Sequence, residues 1–95
     1  TLLAILGNMQ QNAKISESTG FAEYLFNGGK AGGLKMRRVA QAPFYVLRGA
    51  AMPAVLVELG FLTDRQEAKH LADKSYQRKM ADALAGGIRE YLKKN

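Results

Sequence analysis

A short apolar run directly after a proline constrains the fold of this chain more than any other feature. Pro53 precedes residues 54–59, which read A-V-L-V-E-L, and Gly60 interrupts the pattern. Apolar, β-branched residues without polar alternation are typical of a strand covered on both faces, as in a parallel sheet. We therefore predict a buried strand over residues 54–59. Such a strand needs neighbouring strands at its edges and helices above and below it.

The length and composition limit the chain to one small domain or part of one. It has 95 residues, of which 47% are hydrophobic and 23% charged, and this ordinary globular usage argues against disorder. The absence of cysteine excludes disulfides, thiolate metal ligands and cysteine nucleophiles. The chain opens at Thr1 with apolar residues and no basic leader, so we expect the interior of a longer polypeptide rather than a signal peptide.

Helical spacing is the main signal before the strand. Apolar residues from Leu2 to Leu25 predict one long amphipathic helix that ends at the glycine pair 28–29, and polar residues 14–19 weaken its middle. Residues 28–38 carry four glycines and four basic residues, which predict an exposed loop. Residues 44–48, after Pro43, fit either a short helix or a short strand, and we favour the helix.

Two further helices are predicted after the strand. Asp64, with Glu67 three residues later, forms a start that resembles a capping box, and Ser75 is the predicted cap of the last helix. Helical spacing predicts a single apolar face on that last helix, made of Tyr76, Met80, Ala83, Leu84, Ile88, Tyr91 and Leu92.

Helices around one buried strand indicate an α/β fold. One convincing strand cannot complete a sheet whose strands are covered on both faces. We therefore predict that residues 1–95 are the C-terminal portion of a single α/β domain. Its mostly parallel sheet, flanked by helices, would be incomplete without the preceding segment.

Glu58 is the residue most at odds with its surroundings. A carboxylate at the end of an apolar strand borders a low-dielectric interior, where an unpaired charge is costly. Strand alternation places Val55 and Val57 on one face and Glu58 on the other, and ligands of open α/β sheets bind beyond the carboxyl ends of the strands. The pattern leaves two alternatives. Glu58 is either catalytic, or structural and paired with an arginine or with backbone N–H groups.

The other polar residues give weaker signals. His70 is the only histidine and lies in a predicted helix, so an exposed helical position is favoured and no metal site is expected within this chain. The net charge of +6 favours a polyanionic partner such as cell-wall polymer, anionic lipid or nucleic acid. A non-enzymatic basic module that binds cell-wall polymer or nucleic acid is therefore the alternative function. The densest basic cluster consists of Lys30, Lys35, Arg37 and Arg38.

Two blocks of the sequence carry a resemblance to a known family. They are residues 37–48, which read R-R-V-A-Q-A-P-F-Y-V-L-R, and residues 52–64, which read M-P-A-V-L-V-E-L-G-F-L-T-D. Both resemble the C-terminal blocks of zinc-dependent N-acetylmuramoyl-L-alanine amidases of the Amidase_3 type, and the similarity extends to about Ile88. The resemblance implies an α/β fold in which helices flank a mostly parallel sheet, with a catalytic zinc at the sheet edge.

The resemblance also implies a reaction and the residues that carry it. Members of the family hydrolyse the amide bond between N-acetylmuramic acid and L-alanine in peptidoglycan. Their zinc is held by two histidines and a glutamate from the N-terminal half of the domain, and it activates the attacking water. A further glutamate in the second block acts as general base and acid, and here that residue is Glu58. Gln41 and Arg48 are weaker candidates for substrate binding, and each fits a structural hydrogen-bonding role equally well.

The implied partners and location follow from the same family. The zinc ligands are expected from the N-terminal half of the same domain, so this chain alone is expected to be inactive. Peptidoglycan as substrate implies a periplasmic or secreted protein. Some members carry an inhibitory helical insertion upstream, which activator proteins release at the division site, so such an activator is a further implied partner. No nucleic-acid partner is expected, because no aromatic residues are interleaved with the basic cluster to stack on bases. No membrane span is expected, because no apolar run approaches the roughly 20 residues that a span needs.

Overall fold

The computed structural model describes residues 2–8, 12–42 and 52–94, and the side chains of residues 17–40 and 52–94. The predicted short element at residues 44–48 lies outside these ranges. The described chain mixes helices and strands, in agreement with the predicted α/β class. The elements are β1 (Leu2–Asn8), α1 (Asn12–Ala31), β2 (Lys35–Ala42), β3 (Val55–Glu58), α2 (Arg65–Ala72) and α3 (Lys74–Lys93).

The three described strands form one sheet in the order β2-β1-β3. The strand predicted from the apolar run is present as β3, but it is shorter than predicted and its four residues are half-buried rather than buried. β1 pairs with β2 in parallel, whereas β3 runs antiparallel to β1. The described sheet is therefore mixed, and the mostly parallel arrangement expected from the sequence is not seen in it. An apolar run reports burial and carries no information on strand direction.

The first residues form a strand, and the single long helix predicted for this region is wrong. Leu2–Asn8 pairs with both neighbouring strands as β1, and α1 begins only at Asn12. A short apolar run fits a buried helix and a buried strand equally well, because it contains no period that separates the two. Hydrogen bonding to β2 and β3 decides in favour of the strand.

α1 runs past the glycine pair at which the sequence predicted its end, and it ends at Ala31, two residues before Gly33. The Leu34 N–H donates to the Gly29 carbonyl at 2.9 Å, and the Gly33 N–H donates to the Lys30 carbonyl at 3.0 Å. Gly33 has a φ of +83°, so this is a Schellman motif, in which glycine adopts the left-handed conformation at little cost. The loop predicted over residues 28–38 is therefore wrong: the last turn of α1, a tight turn and the start of β2 replace it.

Both C-terminal helices begin at an aspartate. The Asp64 Oδ1 accepts a hydrogen bond from the Glu67 N–H at 3.0 Å, which confirms the predicted start of α2. The predicted cap at Ser75 is wrong, because Asp73 caps α3 and its Oδ1 accepts from the Ser75 N–H at 2.9 Å. An aspartate at this position satisfies a free N–H and also opposes the positive end of the helix dipole.

The core lies where α1 packs on one face of the sheet and against α3. The first cluster surrounds the buried residues Ala22 and Leu25 of α1, and it contains Phe21, Phe26, Met36, Val39, Val55, Val57 and Leu84. The second cluster lies between the end of α1 and the C-terminal helices, and it contains Leu34, Met36, Leu71, Tyr76, Met80 and Ala83. α1 supplies the buried residues of the first cluster, and Leu34, which follows the helix directly, belongs to the second.

The apolar face predicted for α3 is confirmed in part. Met80 and Ala83 are buried, and the Tyr91 ring packs on Phe21 of α1 with 4.7 Å between the ring centroids. Ile88 and Leu92 do not belong to this face, since they are 41% and 72% exposed. α1 crosses α3 at a glycine, so part of the buried stripe is made by a residue without a side chain.

Gly28 and Gly87 allow the two long helices to approach closely. A Cβ placed on Gly28 would lie 2.8 Å from the Gly87 Cα, and a Cβ placed on Gly87 would lie 2.9 Å from the Leu25 Cα. These neighbours are backbone atoms, which cannot move aside as the end of a flexible side chain can. The observed crossing of α1 and α3 therefore requires glycine at both positions.

Gly87→Ala is expected to lower the free energy of unfolding by about 1–3 kcal/mol, because the added methyl group forces the helices apart. The matched control is Gly86→Ala, whose Cβ would meet only the Arg89 Nη2 at 3.8 Å. The control should be neutral or stabilising by up to about 1 kcal/mol, since alanine is the better helix former. Urea unfolding followed by circular dichroism measures both, and equal effects of the two substitutions would contradict the close approach.

Candidate functional site

Glu58 lies at the end of β3 on the face of the sheet opposite α1. Val55 and Val57 pack against the α1 cluster, so strand alternation directs Leu56 and Glu58 to the other face. This arrangement confirms the predicted division of the strand into two faces. Glu58 is half-buried, and among the described residues no side chain pairs with its carboxylate.

The direction of β3 puts Glu58 at a different edge of the sheet from the one predicted. Because β3 is antiparallel to β1, Glu58 pairs with Ala4, near the start of β1. β2 runs in the same direction as β1. Glu58 therefore ends its own strand, as predicted, but it lies beside the amino-terminal ends of the parallel pair because β3 is antiparallel to β1. Residue pattern identified the strand and its faces but could not give its direction.

A bulge in β2 changes which side chains face away from α1. The register of β2 against β1 shifts after Met36, so Arg37 is an extra residue in the strand. Met36 and Val39 both pack against the α1 cluster, and Arg37 and Arg38 between them are exposed. An inserted residue interrupts strand alternation in this way. These two arginines of the predicted basic cluster thus lie on a strand rather than in a loop.

Arg38 and Glu58 occupy one cross-strand row. Each is the register partner of Ala4, on opposite edges of β1. Neighbouring strands lie about 4.8 Å apart, so the Cα atoms of Arg38 and Glu58 are separated by two such spacings, about 10 Å. Residues in register project from the same face of a sheet, so both side chains lie on the face opposite α1. The next row supports this assignment, because Val39 and Val57 are both partners of Ile5 and both pack toward α1.

A buried serine fixes the position at which the chain enters β3. The Ser18 side chain is on α1 and only 1% exposed, and its Oγ accepts a hydrogen bond from the Ala54 backbone N–H at 2.9 Å. A single hydrogen bond of this kind contributes about 1 kcal/mol, and more when its loss leaves a donor unsatisfied. The start of the strand that carries Glu58 is therefore attached directly to α1.

The chain that leaves Glu58 is attached to α2 and exposes apolar side chains. The Phe61 N–H donates to the Glu67 Oε1 at 3.3 Å, so the carboxylate at the start of α2 holds this connection. The apolar residues around Glu58 were not predicted to belong to the site, although they lie in the block that carries the family resemblance. The exposed members are Met52 at 68%, Leu59 at 39%, Phe61 at 50% and Leu62 at 78%.

The remaining predicted site residues are not brought to Glu58 by the described structure. Gln41 belongs to β2 by its backbone, and its side chain is outside the described part; Arg48 is entirely outside it. His70 is exposed on α2, as predicted, and its ring stacks on Tyr76 with 4.9 Å between centroids. Among the described side chains, no group of three His, Asp or Glu could hold a metal ion. These residues do not form a zinc site by themselves.

The sequence from residue 3 to residue 90 matches the profile of the N-acetylmuramoyl-L-alanine amidase family, Amidase_3. The chain therefore belongs to this family, and it covers the C-terminal part of the family's domain. The matched residues include β3, Glu58 and the bulge of β2. The resemblance that the two sequence blocks indicated is thus confirmed.

Three similar proteins illustrate this membership. AmiC of Neisseria meningitidis, an N-acetylmuramoyl-L-alanine amidase, is 34% identical over 86 residues, which are 90% of this chain and 21% of that protein. The structure of the amidase AmiC2 of Nostoc punctiforme aligns with a TM-score of 0.78 at 35% identity, covering 97% of this chain and 48% of that one. CwlD of Clostridioides difficile, solved in complex with the GerS lipoprotein, aligns with a TM-score of 0.85 at 27% identity, covering 98% of this chain and 47% of that one. This chain spans about a fifth of the curated relative and about half of each solved chain.

Ser18→Ala is expected to lower the free energy of unfolding by about 1–2 kcal/mol, because the Ala54 N–H loses its acceptor. Ser75→Ala is the matched control, since Ser75 is exposed, and it should change stability by less than about 0.5 kcal/mol. Chemical denaturation measures both values. Hydrogen exchange at the Ala54 amide should also become faster in the Ser18 variant, and an unchanged exchange rate would contradict the proposed attachment.

Proposed function

We propose that Glu58 is the general base and acid of a peptidoglycan hydrolase that cleaves the amide between N-acetylmuramic acid and L-alanine. One observation supports this above the others: a half-buried carboxylate ends β3, and no described side chain pairs with it. A purely structural carboxylate at such a position would be expected to have a charged or hydrogen-bonding partner, because partial burial without one costs free energy. Membership of the amidase family supports the same role.

The chemistry of amide hydrolysis matches what a side chain like Glu58 can do. In its ionised form, a carboxylate oxygen accepts the proton of the attacking water. In its protonated form, the same group donates that proton to the leaving nitrogen of L-alanine. A positioned acid or base of this kind typically contributes about 10²–10⁴-fold to the rate. Half-burial leaves the Glu58 carboxyl accessible to water and substrate while β3 holds its backbone in place.

Zinc is the metal that the family implies, and its ligands are proposed to lie in the N-terminal half of the domain. The described side chains of this chain include no group that could hold it. A bound zinc ion supplies such enzymes with a water of lowered pKa. Glu58 is assigned to proton transfer and not to the metal.

The chain is proposed to be the C-terminal portion of one catalytic domain. The solved relatives are about twice its length, which supports further strands from outside these residues. Peptidoglycan as substrate supports a periplasmic or secreted location, and no described helix has the length and apolar character of a membrane span. Gln41 and Arg48 remain predicted substrate contacts. A division-site activator remains a proposed partner, and the complex of CwlD with a lipoprotein supports a protein partner for such a domain.

Glu58→Gln in the whole metal-loaded protein is expected to lower kcat for wall hydrolysis by about 100-fold or more. Glutamine keeps the shape of the side chain but cannot accept the proton. The matched control is Glu23→Gln, which removes the same charge from an exposed position on α1 and should leave kcat unchanged. Release of peptides with a new N-terminal L-alanine from purified cell walls gives the rates. A Glu58→Gln protein that folds normally and keeps more than a tenth of the activity would exclude the assignment.

The isolated 95-residue chain is expected to retain no stoichiometric zinc and to hydrolyse no wall material. Metal analysis after gel filtration in trace zinc measures the first quantity, and the same wall assay measures the second. Combination with the N-terminal half should restore both. One zinc per isolated chain would show that the ligands were assigned to the wrong part of the domain.

A further inference from the structure

We infer that Arg38 binds a carboxylate on the peptide side of the cleaved amide, so that the site selects an acidic peptide. The inference rests on the proposed role of Glu58, because Glu58 marks where the amide lies. It extends that role by naming a residue that determines substrate specificity. The structural basis is the row in which Arg38 and Glu58 pair with the same residue of β1.

The bulge in β2 is what makes Arg38 available for this role. In a regular strand, residues 36 and 38 project from the same face, and Met36 faces the apolar cluster of α1. Without the extra residue Arg37, the guanidinium would be directed into that cluster, where an unpaired charge is costly. The register shift after Met36 instead places Arg38 on the Glu58 face, where it is exposed.

The spacing of the row fits a short stretch of peptide. The Cα atoms of Arg38 and Glu58 are about 10 Å apart, which is two strand spacings. An extended peptide advances about 3.5 Å per residue, so a carboxylate on the second residue lies about 7 Å beyond an amide at the first. A substrate with its amide at Glu58 can therefore present the carboxylate of its second residue to Arg38.

The chemistry of Arg38 suits a carboxylate. A guanidinium donates two parallel hydrogen bonds to a carboxylate, which gives geometric selectivity as well as affinity. No carboxylate among the described residues pairs with Arg38; the ion pairs found there join Arg78 to Asp82 and Lys93 to Glu90. The net charge of +6 also attracts anionic substrates toward the protein.

The test compares two substrates that differ in one group. They are N-acetylmuramoyl-L-alanyl-D-glutamic acid, with a free α-carboxylate, and the corresponding D-isoglutamine compound, in which that group is an uncharged amide. In the whole metal-loaded protein, Arg38→Ala should lower kcat/KM about tenfold on the acid, mainly through KM, and less than twofold on the amide. Arg38→Lys should lower kcat/KM on the acid by less than Arg38→Ala does, because lysine keeps the positive charge but cannot donate two parallel hydrogen bonds.

Arg78→Ala is the matched control, since it removes the same charge from an 81% exposed side chain of α3 and should affect neither substrate. A second readout does not depend on turnover. Calorimetry measures the Kd of each compound for the Glu58→Gln protein and for the double variant that also carries Arg38→Ala. Only the acid should bind about tenfold more weakly when Arg38 is replaced.

The outcomes separate this inference from the proposed function. If Arg38→Ala lowered kcat/KM and raised Kd equally for both compounds, carboxylate recognition by Arg38 would be overturned, while the role of Glu58 in hydrolysis would stand. The opposite outcome is also possible: the wild-type protein cleaves neither the two compounds nor cell walls, yet the difference in Kd between the acid and the amide depends on Arg38. That result would contradict the proposed hydrolase function and support the carboxylate site. Circular dichroism of each variant excludes loss of folding as the cause, and exposure of Arg38 makes the substitution compatible with the fold.

Discussion

The packing of Val55 and Val57 against α1 is the interaction on which the rest of the structure depends. Burying a valine side chain completely contributes about 1.5–3 kcal/mol, whereas burying an unpaired carboxylate is unfavourable. β3 can therefore present only one of its faces to the helix. Once the valines face α1, strand alternation leaves Glu58 on the opposite face. The position of the proposed catalytic group follows from the apolar side of its own strand.

α1 determines both the orientation and the starting point of that strand. Its apolar residues receive the valines, and Ser18 on the same helix holds the Ala54 N–H. The helix is in turn held against α3 by the close contact of Gly28 with Gly87 and by the packing of its aromatic rings on Tyr91. A change in the crossing of the two helices would therefore be transmitted to β3, although neither α2 nor α3 carries a residue assigned to catalysis.

Short-range features could be predicted from the sequence, and features that depend on distant residues could not. The cap at Asp64 was found because its hydrogen bond spans three residues, and Glu58 was found because a carboxylate in an apolar strand is conspicuous. β1 was missed because its apolar residues carry no period that distinguishes strand from helix. The relation between Arg38 and Glu58 was also missed, since it depends on a bulge that exists only when β2 pairs with β1.

By itself the sequence determined which strand face is apolar, where the C-terminal helices lie, and that the chain belongs to an amidase family. Side-chain burial and helix capping are decided by residues a few positions apart, and their signals are therefore local. The tertiary structure alone decided the direction of β3, the register of the sheet and the row that joins Arg38 to Glu58. The physical reason is that nearly every residue offers the same backbone N–H and C=O groups. Only the packing of the whole sheet against α1 selects which of these groups pair.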